Sequence, residues 1–498
     1  MALTIIKASS TSPSFFNLDG LDYPKSSFIV AYGSLSESGG NPVDVAVSIV
    51  NKHTNEHLVA PRTYDKWSSD GTNPYTSLPE LLNALNSFIG SNSSEVTVKA
   101  ADSPSIDAFA RLRVSNPITI FDSKQIHDNQ ALFWDDQEET GTGTSSTHDP
   151  NRAGTTIAVG TGAGKRTRQT FMRFNYQAGK SQLILMTFVM NKTGGGTGIT
   201  KTIGYGDDDN GIFLQDIEGV KNITIRSNAT GTPVDIAIPQ TDWNIDKMDG
   251  TGASGITLDF TKSQIFIIDF EWLGVGRVRT GVVVDGLIYY THQFLNANDL
   301  DVVYMSTPNL PLRYQIENDG TGVASSLEHI CTSVMSEGGV TDNGVLRYSS
   351  TEGTHINADV ANTLYAIIGI RLKSTHIGAT IKIATLSMVC ATTDDYEWVL
   401  MLNPTVAVPN TWNNEANSAI QTTVGSTTVA DNVVTGGTKL LGGLVKSSGA
   451  AGSFTIEISN ALLLGSAIDG SVDEIYLCCR PLAAGADIDA GITWREIS

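Results

Sequence analysis

The sequence predicts a mainly β protein built of tandem antiparallel β-sandwiches, with a small α+β domain at its N-terminus. Three observations support this prediction. Residues 264–294 have the pattern of a three-stranded antiparallel meander. Charged residues make up only 17% of the chain, and its 48 glycines suit a protein with many turns. Short alternating segments follow one another without helical crossovers, which favours sandwiches of the jelly-roll or concanavalin-like kind.

The meander at residues 264–294 is the clearest strand signal in the chain. Apolar residues occupy every second position of its first strand, so one face is wholly apolar. These residues are Phe266, Ile268, Phe270 and Trp272. After a turn at residues 273–276 a second strand follows. Asp285-Gly286 then predicts a two-residue hairpin, because both central residues of a type I′ turn need a positive φ.

The composition argues against several classes of function. The net charge of −20 repels phosphate backbones, so we expect no nucleic-acid partner. No stretch is long and apolar enough to span a bilayer, and the first residues lack the apolar core of a signal peptide. The four cysteines show no metal-binding spacing, so we expect buried thiols in a protein made in a reducing cytoplasm. No dinucleotide or phosphate-loop motif occurs, and we predict no cofactor.

Residues 1–100 are predicted to form an N-terminal attachment domain. They contain the strongest helix signal of the chain, at residues 78–89, where apolar residues recur at helical spacing. Its apolar face includes Leu81, Leu85 and Phe88. We expect this face to pack on a sheet of the same domain or on a neighbouring chain.

Residues 101–154 are predicted to form a linking arm and a loop. Residues 106–113 (IDAFARLR) are either a short helix or an extended arm along a neighbouring subunit, and residues 118–121 have strand character. The side chains expected at that contact are Phe109, Arg111 and Arg113. Residues 135–164 are rich in Gly, Thr, Ser, Asp and Glu, so we expect a long surface loop there.

Two sandwiches are predicted after the arm. Residues 155–340 contain many short strand candidates separated by turn signals, and we expect a jelly-roll-like β-sandwich. Residues 341–498 are predicted to form a C-terminal β-sandwich. Within it, the Gly-, Thr- and Ser-rich stretch at 413–450 predicts long loops.

Asp269 and Glu271 alternate on one strand, as a pair of glycosidase carboxylates would. The preceding position on that face is Ile267, which carries no carboxylate. The next strand presents Arg277 and Arg279 on the same face, which predicts the cross-strand pairs Asp269–Arg279 and Glu271–Arg277. We therefore predict a structural role for both carboxylates and no enzymatic activity.

The run Asp207–Gly211 (DDDNG) has two interpretations. As a calcium loop of the helix–loop–helix kind it fails, because the sixth position is Ile212 rather than glycine. An oxygen-rich turn can bind calcium without that motif, so this alternative stays open. The dipeptide Asn210-Gly211 predicts a hairpin turn more simply. We predict no metal site.

Two tryptophans beside turns are candidate glycan contacts. Trp243 and Trp412 have Asn and Asp neighbours, a setting that suits stacking on a sugar ring, although local packing is the competing interpretation. Trp272 and Trp398 lie within predicted strands and are assigned to the core.

Four segments carry a resemblance to known proteins. They are Ile106–Gln125 (IDAFARLRVSNPITIFDSKQ), Ser263–Gly286 (SQIFIIDFEWLGVGRVRTGVVVDG), Tyr304–Gly322 (YMSTPNLPLRYQIENDGTG) and Ile492–Ser498 (ITWREIS). Together they resemble a group of tailed-bacteriophage structural proteins found in phages of aquatic bacteria. The resemblance covers most of the chain from about residue 105 onward. Such proteins are described as virion, tail or fibre components.

The resemblance implies a place in a virion, made in the cytoplasm of the host bacterium. It implies a tail, baseplate or fibre-type protein that is attached through its N-terminal domain and contacts the host surface. The expected partners are copies of itself in a homotrimer, other virion proteins and a host-surface glycan. A capsid decoration or head fibre is one alternative, and a glycan-binding or glycan-degrading tail protein is another.

Overall fold

The computed structural model describes residues 117–341, 343–392, 395–446 and 464–497 in full, and the backbone of seven strands outside these ranges. The chain divides into two units, Met1–Lys99 and Ala100–Ser498. The predicted helix at 78–89 and the predicted contact at 106–113 lie outside the described residues. These segments hold Leu81, Leu85, Phe88, Phe109, Arg111 and Arg113.

Six strands are described in the first unit. They are β1 (Thr4–Ile6), β2 (Phe15–Leu18), β3 (Leu21–Pro24), β4 (Phe28–Ser34), β5 (Val45–Asn51) and β6 (Arg62–Tyr64). Four of them form an antiparallel sheet in the order β1-β4-β5-β6, and β2 pairs with β3.

The second unit begins with a sandwich of fifteen strands. They are β7 (Ile118–Lys124), β8 (Trp134–Gly141), β9 (Ser145–Asp149), β10 (Gly154–Val159), β11 (Gly164–Thr170), β12 (Ser181–Thr193), β13 (Ile199–Gly206), β14 (Gly211–Ile217), β15 (Val220–Ser227), β16 (Val234–Pro239), β17 (Gln264–Phe270), β18 (Val278–Val284), β19 (Leu287–Phe294), β20 (Leu312–Asn318) and β21 (Ser325–Glu337). A single turn of 3₁₀ helix, Gln240–Asp242, follows β16.

Two antiparallel sheets form this first sandwich. One has eight strands in the order β19-β18-β17-β12-β21-β10-β9, with β7 also paired to β21; the other has seven in the order β16-β15-β14-β13-β20-β11-β8. Their facing side chains form one hydrophobic core, because alternate residues of each strand point inward. Phe266, Ile268 and Phe270 of β17 lie in it at 0–1% exposure. The apolar face predicted for this strand is therefore confirmed.

The hairpin predicted after β18 is also present. Val284 pairs with Leu287, and the two residues between them, Asp285 and Gly286, have φ values of 52° and 79°. These are the positive angles that a type I′ turn requires.

A second sandwich follows in the same unit. Its strands are β22 (Val345–Ser350), β23 (Ile356–Ala358), β24 (Tyr365–Leu372), β25 (Thr380–Cys390), β26 (Tyr396–Leu402), β27 (Thr405–Val406), β28 (Asn413–Asn414), β29 (Ile420–Val424), β30 (Val434–Thr435), β31 (Thr438–Val445), β32 (Ser453–Phe454), β33 (Glu474–Pro481) and β34 (Ala486–Ile497). Two 3₁₀ turns lie at Ser374–His376 and Val429–Asn432.

The second sandwich also consists of two antiparallel sheets. One contains β22-β34-β25-β32, with β23 also paired to β34, and the other contains β28-β29-β24-β33-β26-β31. A hydrophobic core lies between the two sheets. A smaller apolar cluster lies on the opposite face of the six-stranded sheet, against residues 404–434. The protein thus has the predicted tandem antiparallel sandwiches of jelly-roll type.

Two segments predicted as loops contain strands. Residues 135–164 hold most of β8 and all of β9 and β10, and residues 413–450 hold β28–β31. Several of these are edge strands, which pair through backbone groups on one side and face water on the other. Polar composition therefore misled the prediction at both places. The described part of the predicted arm, from Ile118, pairs with β21 of its own sandwich.

Residues 464–473 connect the two sandwiches. The Ser466 N–H donates to the Phe171 carbonyl at 3.0 Å, and the Arg173 guanidinium donates to the Ser466 hydroxyl. The Ile468 N–H donates to a carboxylate oxygen of Asp135 at 2.7 Å. Gly465 approaches the Phe171 carbonyl so closely that a Cβ would overlap it. The second sandwich is therefore held against the first by specific backbone contacts.

No helix within the described residues is long and apolar enough to cross a membrane.

Candidate functional site

Asp269 is one half of a fully buried ion pair. Its carboxylate lies 2.6 Å from the Arg279 guanidinium, and both side chains have 0% exposure. The Tyr290 hydroxyl donates to the same carboxylate at 2.7 Å and the Ser181 hydroxyl at 2.9 Å. Asp269 stands opposite Arg279 in the strand register, as the sequence predicted. A carboxylate enclosed in this way has a structural role.

Glu271 also has a structural partner. It follows the end of β17, where its Oε1 accepts the Arg277 N–H at 3.1 Å. The Glu271 N–H donates to the Arg277 carbonyl, also at 3.1 Å. The predicted Glu271–Arg277 pairing is therefore present through backbone groups, and the two carboxylates do not flank an open cleft.

The four-residue turn Asp207–Asn210 connects β13 and β14, so the predicted hairpin is present, but Gly211 belongs to β14 and Asn210-Gly211 is not the turn pair. Two of its three carboxylates have basic partners: Asp207 lies 3.1 Å from Arg173, and Asp208 accepts from Arg313. Within the described residues, no group of His, Cys, Asp and Glu side chains is placed to hold a metal ion.

Trp243 belongs to the core of the first sandwich. Its side chain is 4% exposed, and its indole N–H donates to the Ile238 carbonyl at 3.2 Å. The residue follows the 3₁₀ turn at 240–242, which directs the ring inward instead of toward solvent. This position removes Trp243 from the candidate glycan contacts.

Trp412 lies on the surface of the second sandwich and is half-buried. It precedes the edge strand β28 and packs beside the apolar cluster on the outer face of the six-stranded sheet. The Arg371 guanidinium lies 4.4 Å from the centroid of the Trp412 ring. The Tyr476 ring meets it edge-on at 5.5 Å. The indole is therefore held in one orientation while part of it stays accessible.

Arg371 connects Trp412 to a row of polar side chains. In the register of β29, β24 and β33, Arg371 stands opposite Gln421 on one side and Glu474 on the other. Its Nε donates to Gln421 at 2.8 Å and its Nη1 to Glu474 at 2.7 Å. We call Trp412, Arg371, Gln421, Glu474 and Tyr476 the Trp412 cluster.

One buried polar atom beside Tyr476, Thr423 Oγ1, has no hydrogen-bond partner among the described residues. The Asn410 side chain is hydrogen-bonded to the Tyr476 phenol. The Tyr476 ring and the Thr423 methyl group both lie over Gly369, where a Cβ would meet them at 2.7 and 2.9 Å. Burial raises the pKa of the Tyr476 phenol, so it is a neutral hydrogen-bonding group at physiological pH. The cluster thus adjoins one unsatisfied buried hydroxyl.

A second polar network, inside the first sandwich, had no signal in the sequence. Arg168 is fully buried and donates to Asp136 at 2.9 Å, to Gln125 at 3.0 Å and to His329 at 3.2 Å. The His329 ring stacks on Tyr314 at 4.1 Å. Burial, with Arg168 beside it, holds the pKa of His329 well below its usual range, so the imidazole is neutral. Alternating polar residues in strands resemble a solvated face, which is why this interior network escaped prediction.

The comparisons with known proteins leave the family unassigned. No family model and no curated protein sequence matches the chain. Solved structures with partial likeness include an endo-1,3-beta-glucanase from Streptomyces sioyaensis, 12% identical, with a TM-score of 0.29 over 45% of this chain and 97% of the glucanase. A legume lectin-like domain from Entamoeba histolytica is 12% identical, with a TM-score of 0.27 over 44% of this chain and 98% of that domain. Peanut lectin is 10% identical, with a TM-score of 0.27 over 45% of this chain and 98% of the lectin. At these TM-scores we draw nothing about this chain from the likeness.

Proposed function

We propose that the protein binds glycans through the Trp412 cluster. The observation that carries the proposal is the half-buried Trp412 ring, held by Arg371 beside a row of polar side chains. Binding sites for small polar ligands combine an apolar or aromatic surface with a few fixed hydrogen-bonding groups. A sugar ring presents both kinds of surface, since its C–H face is apolar and its hydroxyls are polar.

The polar groups of the cluster suit hydroxyl ligands. Gln421 and Glu474 offer acceptors, and Arg371 offers fixed donors in a planar array. Thr423 Oγ1 lies buried beside the cluster without a partner, and a bridging water would satisfy it. The pre-formed contacts lower the entropic cost of binding, because the side chains are already ordered.

The cluster favours binding over cleavage. Glycoside hydrolysis ordinarily uses two carboxyl groups on either side of the scissile bond, one as acid and one as nucleophile or base. Glu474 is held in an ion pair with Arg371, and Asp269 is enclosed in the first sandwich. We therefore propose a binding protein with no enzymatic activity.

Substitution of Arg371 tests this function against a matched control. Arg480 and Glu397 form a second pair on the same outer face, with side-chain exposures of 27% and 26%, against 25% and 28% for Arg371 and Glu474. Oligosaccharides selected on a glycan array would be titrated calorimetrically against wild type, Trp412→Ala, Arg371→Ala and Arg480→Ala. We expect at least tenfold weaker binding for the first two variants and unchanged binding for Arg480→Ala. Equal affinities for all four proteins, or no array signal, would contradict the proposal.

We also propose that the protein is a structural component of a bacteriophage virion, of the tail, baseplate or fibre type, with a capsid decoration or head fibre as the alternative. The support is the sequence resemblance, one segment of which, Ser263–Gly286, spans β17 and β18 and contributes core residues of the first sandwich. Immunogold labelling of purified particles would locate the chain on tail or head. Particles free of the chain would contradict this second proposal.

A further inference from the structure

The outermost strand of the second sandwich, β22, has an apolar surface on both faces. Among the described strands it pairs only with β34. Val345, Leu346 and Tyr348 are 66%, 53% and 61% exposed. An edge strand of this kind presents unpaired N–H and C=O groups that another strand can satisfy. We propose that β22 pairs antiparallel with β22 of a second copy of this chain.

The strand β22 itself carries no acidic residue, although Glu352 follows it and Glu496 lies opposite Val345 on β34. The chain carries a net charge of −20, so most of its surface repels a second copy. Residues 344–351 (GVLRYSST) contain no acidic residue and one arginine. Edge strands are commonly protected by lysine, proline, a bulge or an inward-pointing charge. The strand β22 has no lysine, proline or bulge, and its one charged residue is Arg347.

The sequence of β22 selects one register for this pairing. If a twofold axis perpendicular to the sheet relates the two copies, a given residue points to the same face of the joined sheet in both copies. Opposed residues of an antiparallel pair also point to the same face, so the residue at the axis must lie opposite its own counterpart. A centre at Arg347 would place two guanidinium groups opposite each other, which is unfavourable. A centre at Tyr348 places two tyrosines opposite each other and puts Leu346 opposite Ser350, so that large side chains meet small ones. We infer the register centred on Tyr348.

The neighbouring contacts agree with that register. Arg347 points toward the other sheet of the sandwich, where its guanidinium donates to the Ala416 and Asn417 carbonyls. Tyr348 lies over Gly491 of β34, where a Cβ would come within 2.6 Å of the tyrosine hydroxyl. The Tyr348 side chain thus packs on the face of its own sheet. Its side chain is nevertheless 61% exposed.

Disulfide cross-linking tests both the contact and its register. Opposed residues in an antiparallel pair have Cα atoms roughly 4.5–5.5 Å apart, which a disulfide can bridge. Full-length Tyr348→Cys should form a covalent dimer under mild oxidation, and Leu346→Cys should do so only when mixed with Ser350→Cys. Ile236→Cys is the matched control, because Ile236 is 48% exposed on the edge strand β16.

Light scattering supplies the independent measurement. We expect the wild-type particle to contain an even number of copies. The measured mass of Tyr348→Lys should be half that of wild type, and the mass of Ile236→Lys should equal it. A cooperative thermal unfolding transition would show that Tyr348→Lys is folded. A monomeric wild type, or a trimer whose mass is the same in Tyr348→Lys, would overturn the proposal. Cross-linking of Leu346→Cys to itself in place of Tyr348→Cys would overturn the register.

Discussion

The two sandwiches place similar arginine–carboxylate pairs in opposite environments. In the first, Asp269 and Arg279 lie on adjacent strands at 0% exposure and are enclosed by other polar groups. In the second, Arg371 and Glu474 also lie on adjacent strands, but they are 25% and 28% exposed and stand beside Trp412. A buried pair is costly to break, because removing either partner leaves the other as an uncompensated buried charge. An exposed pair contributes little to stability. The comparison separates a pair used for the fold from a pair available to a ligand.

The largest expected effect comes from breaking the buried pair. Asp269→Ala leaves Arg279 without its carboxylate in the interior, and we expect a loss of about 3–5 kcal/mol in the free energy of unfolding. Urea denaturation measures this loss. The double variant Asp269→Leu with Arg279→Met should recover part of it, since it removes both charges together. A loss below about 1 kcal/mol for the single variant would show that water reaches this pair.

The next largest effect concerns the connection between the sandwiches. Gly465→Val places a side chain against the Phe171 carbonyl, where there is no room for a Cβ. We expect a loss of about 1–3 kcal/mol from this overpacking and separate unfolding of the two sandwiches, both visible by calorimetry. Gly162→Val is a useful control, because Gly162 has open space around its Cβ position and its φ is not positive. If Gly465→Val unfolds in a single thermal transition at the wild-type temperature, the contacts of residues 464–473 do not hold the two sandwiches together.

Acid should weaken the first sandwich through His292. Burial lowers the pKa of His292 from 6.5 to about 4, and its Nδ1 accepts the Asn244 N–H at 3.2 Å. Between these pH values the unfolded chain binds a proton that the folded chain does not, so stability rises with pH across this window. Lowering the pH from 6.5 to 4 should therefore cost on the order of 2 kcal/mol at this site. The free energy of unfolding would be measured against pH for wild type and His292→Gln, and the difference between the two curves gives the contribution of His292. Parallel curves would show that His292 does not cause the loss of stability in acid.

The smallest effect on stability is expected at the exposed pair. Arg371→Ala should change the free energy of unfolding by about 0.5 kcal/mol, because the pair is partly hydrated. The same denaturation experiment measures this change. A small change in stability together with a loss of glycan affinity would show that Arg371 serves ligand binding, whereas Arg279 serves the fold. A loss comparable to that of Asp269→Ala would instead make the Trp412 cluster a structural element.

Much of the scaffold was predictable because its signals are local. The alternation in β17 and the positive-φ turn at Asp285-Gly286 depend on neighbouring residues, and both are present. The Asp269–Arg279 pair was also predictable, since the two strands are consecutive and joined by a short turn. Edge strands such as β8 and β31 were missed, because polar residues that pair only through their backbone resemble a loop.

The candidate site shows where local reasoning ends. Trp243 and Trp412 have similar sequence surroundings, yet one is 4% exposed in a core and the other lies half-buried on a surface. The direction of the chain after the preceding turn decides between these outcomes, and that direction depends on packing against strands distant in sequence. The contact residues predicted before residue 117 lie outside the described part of the chain and stay predictions.

The sequence by itself determined the strand class, the central meander and one buried ion pair, because two-residue periodicity and turn chemistry act over a few residues. The tertiary structure decided which polar residues face inward and which meet at the surface. Arg371, Trp412 and Glu474 come together because the sheet order β28-β29-β24-β33 places distant segments side by side. Strand order is set by the burial of whole sheet faces, a non-local free energy that no short segment of the sequence reveals.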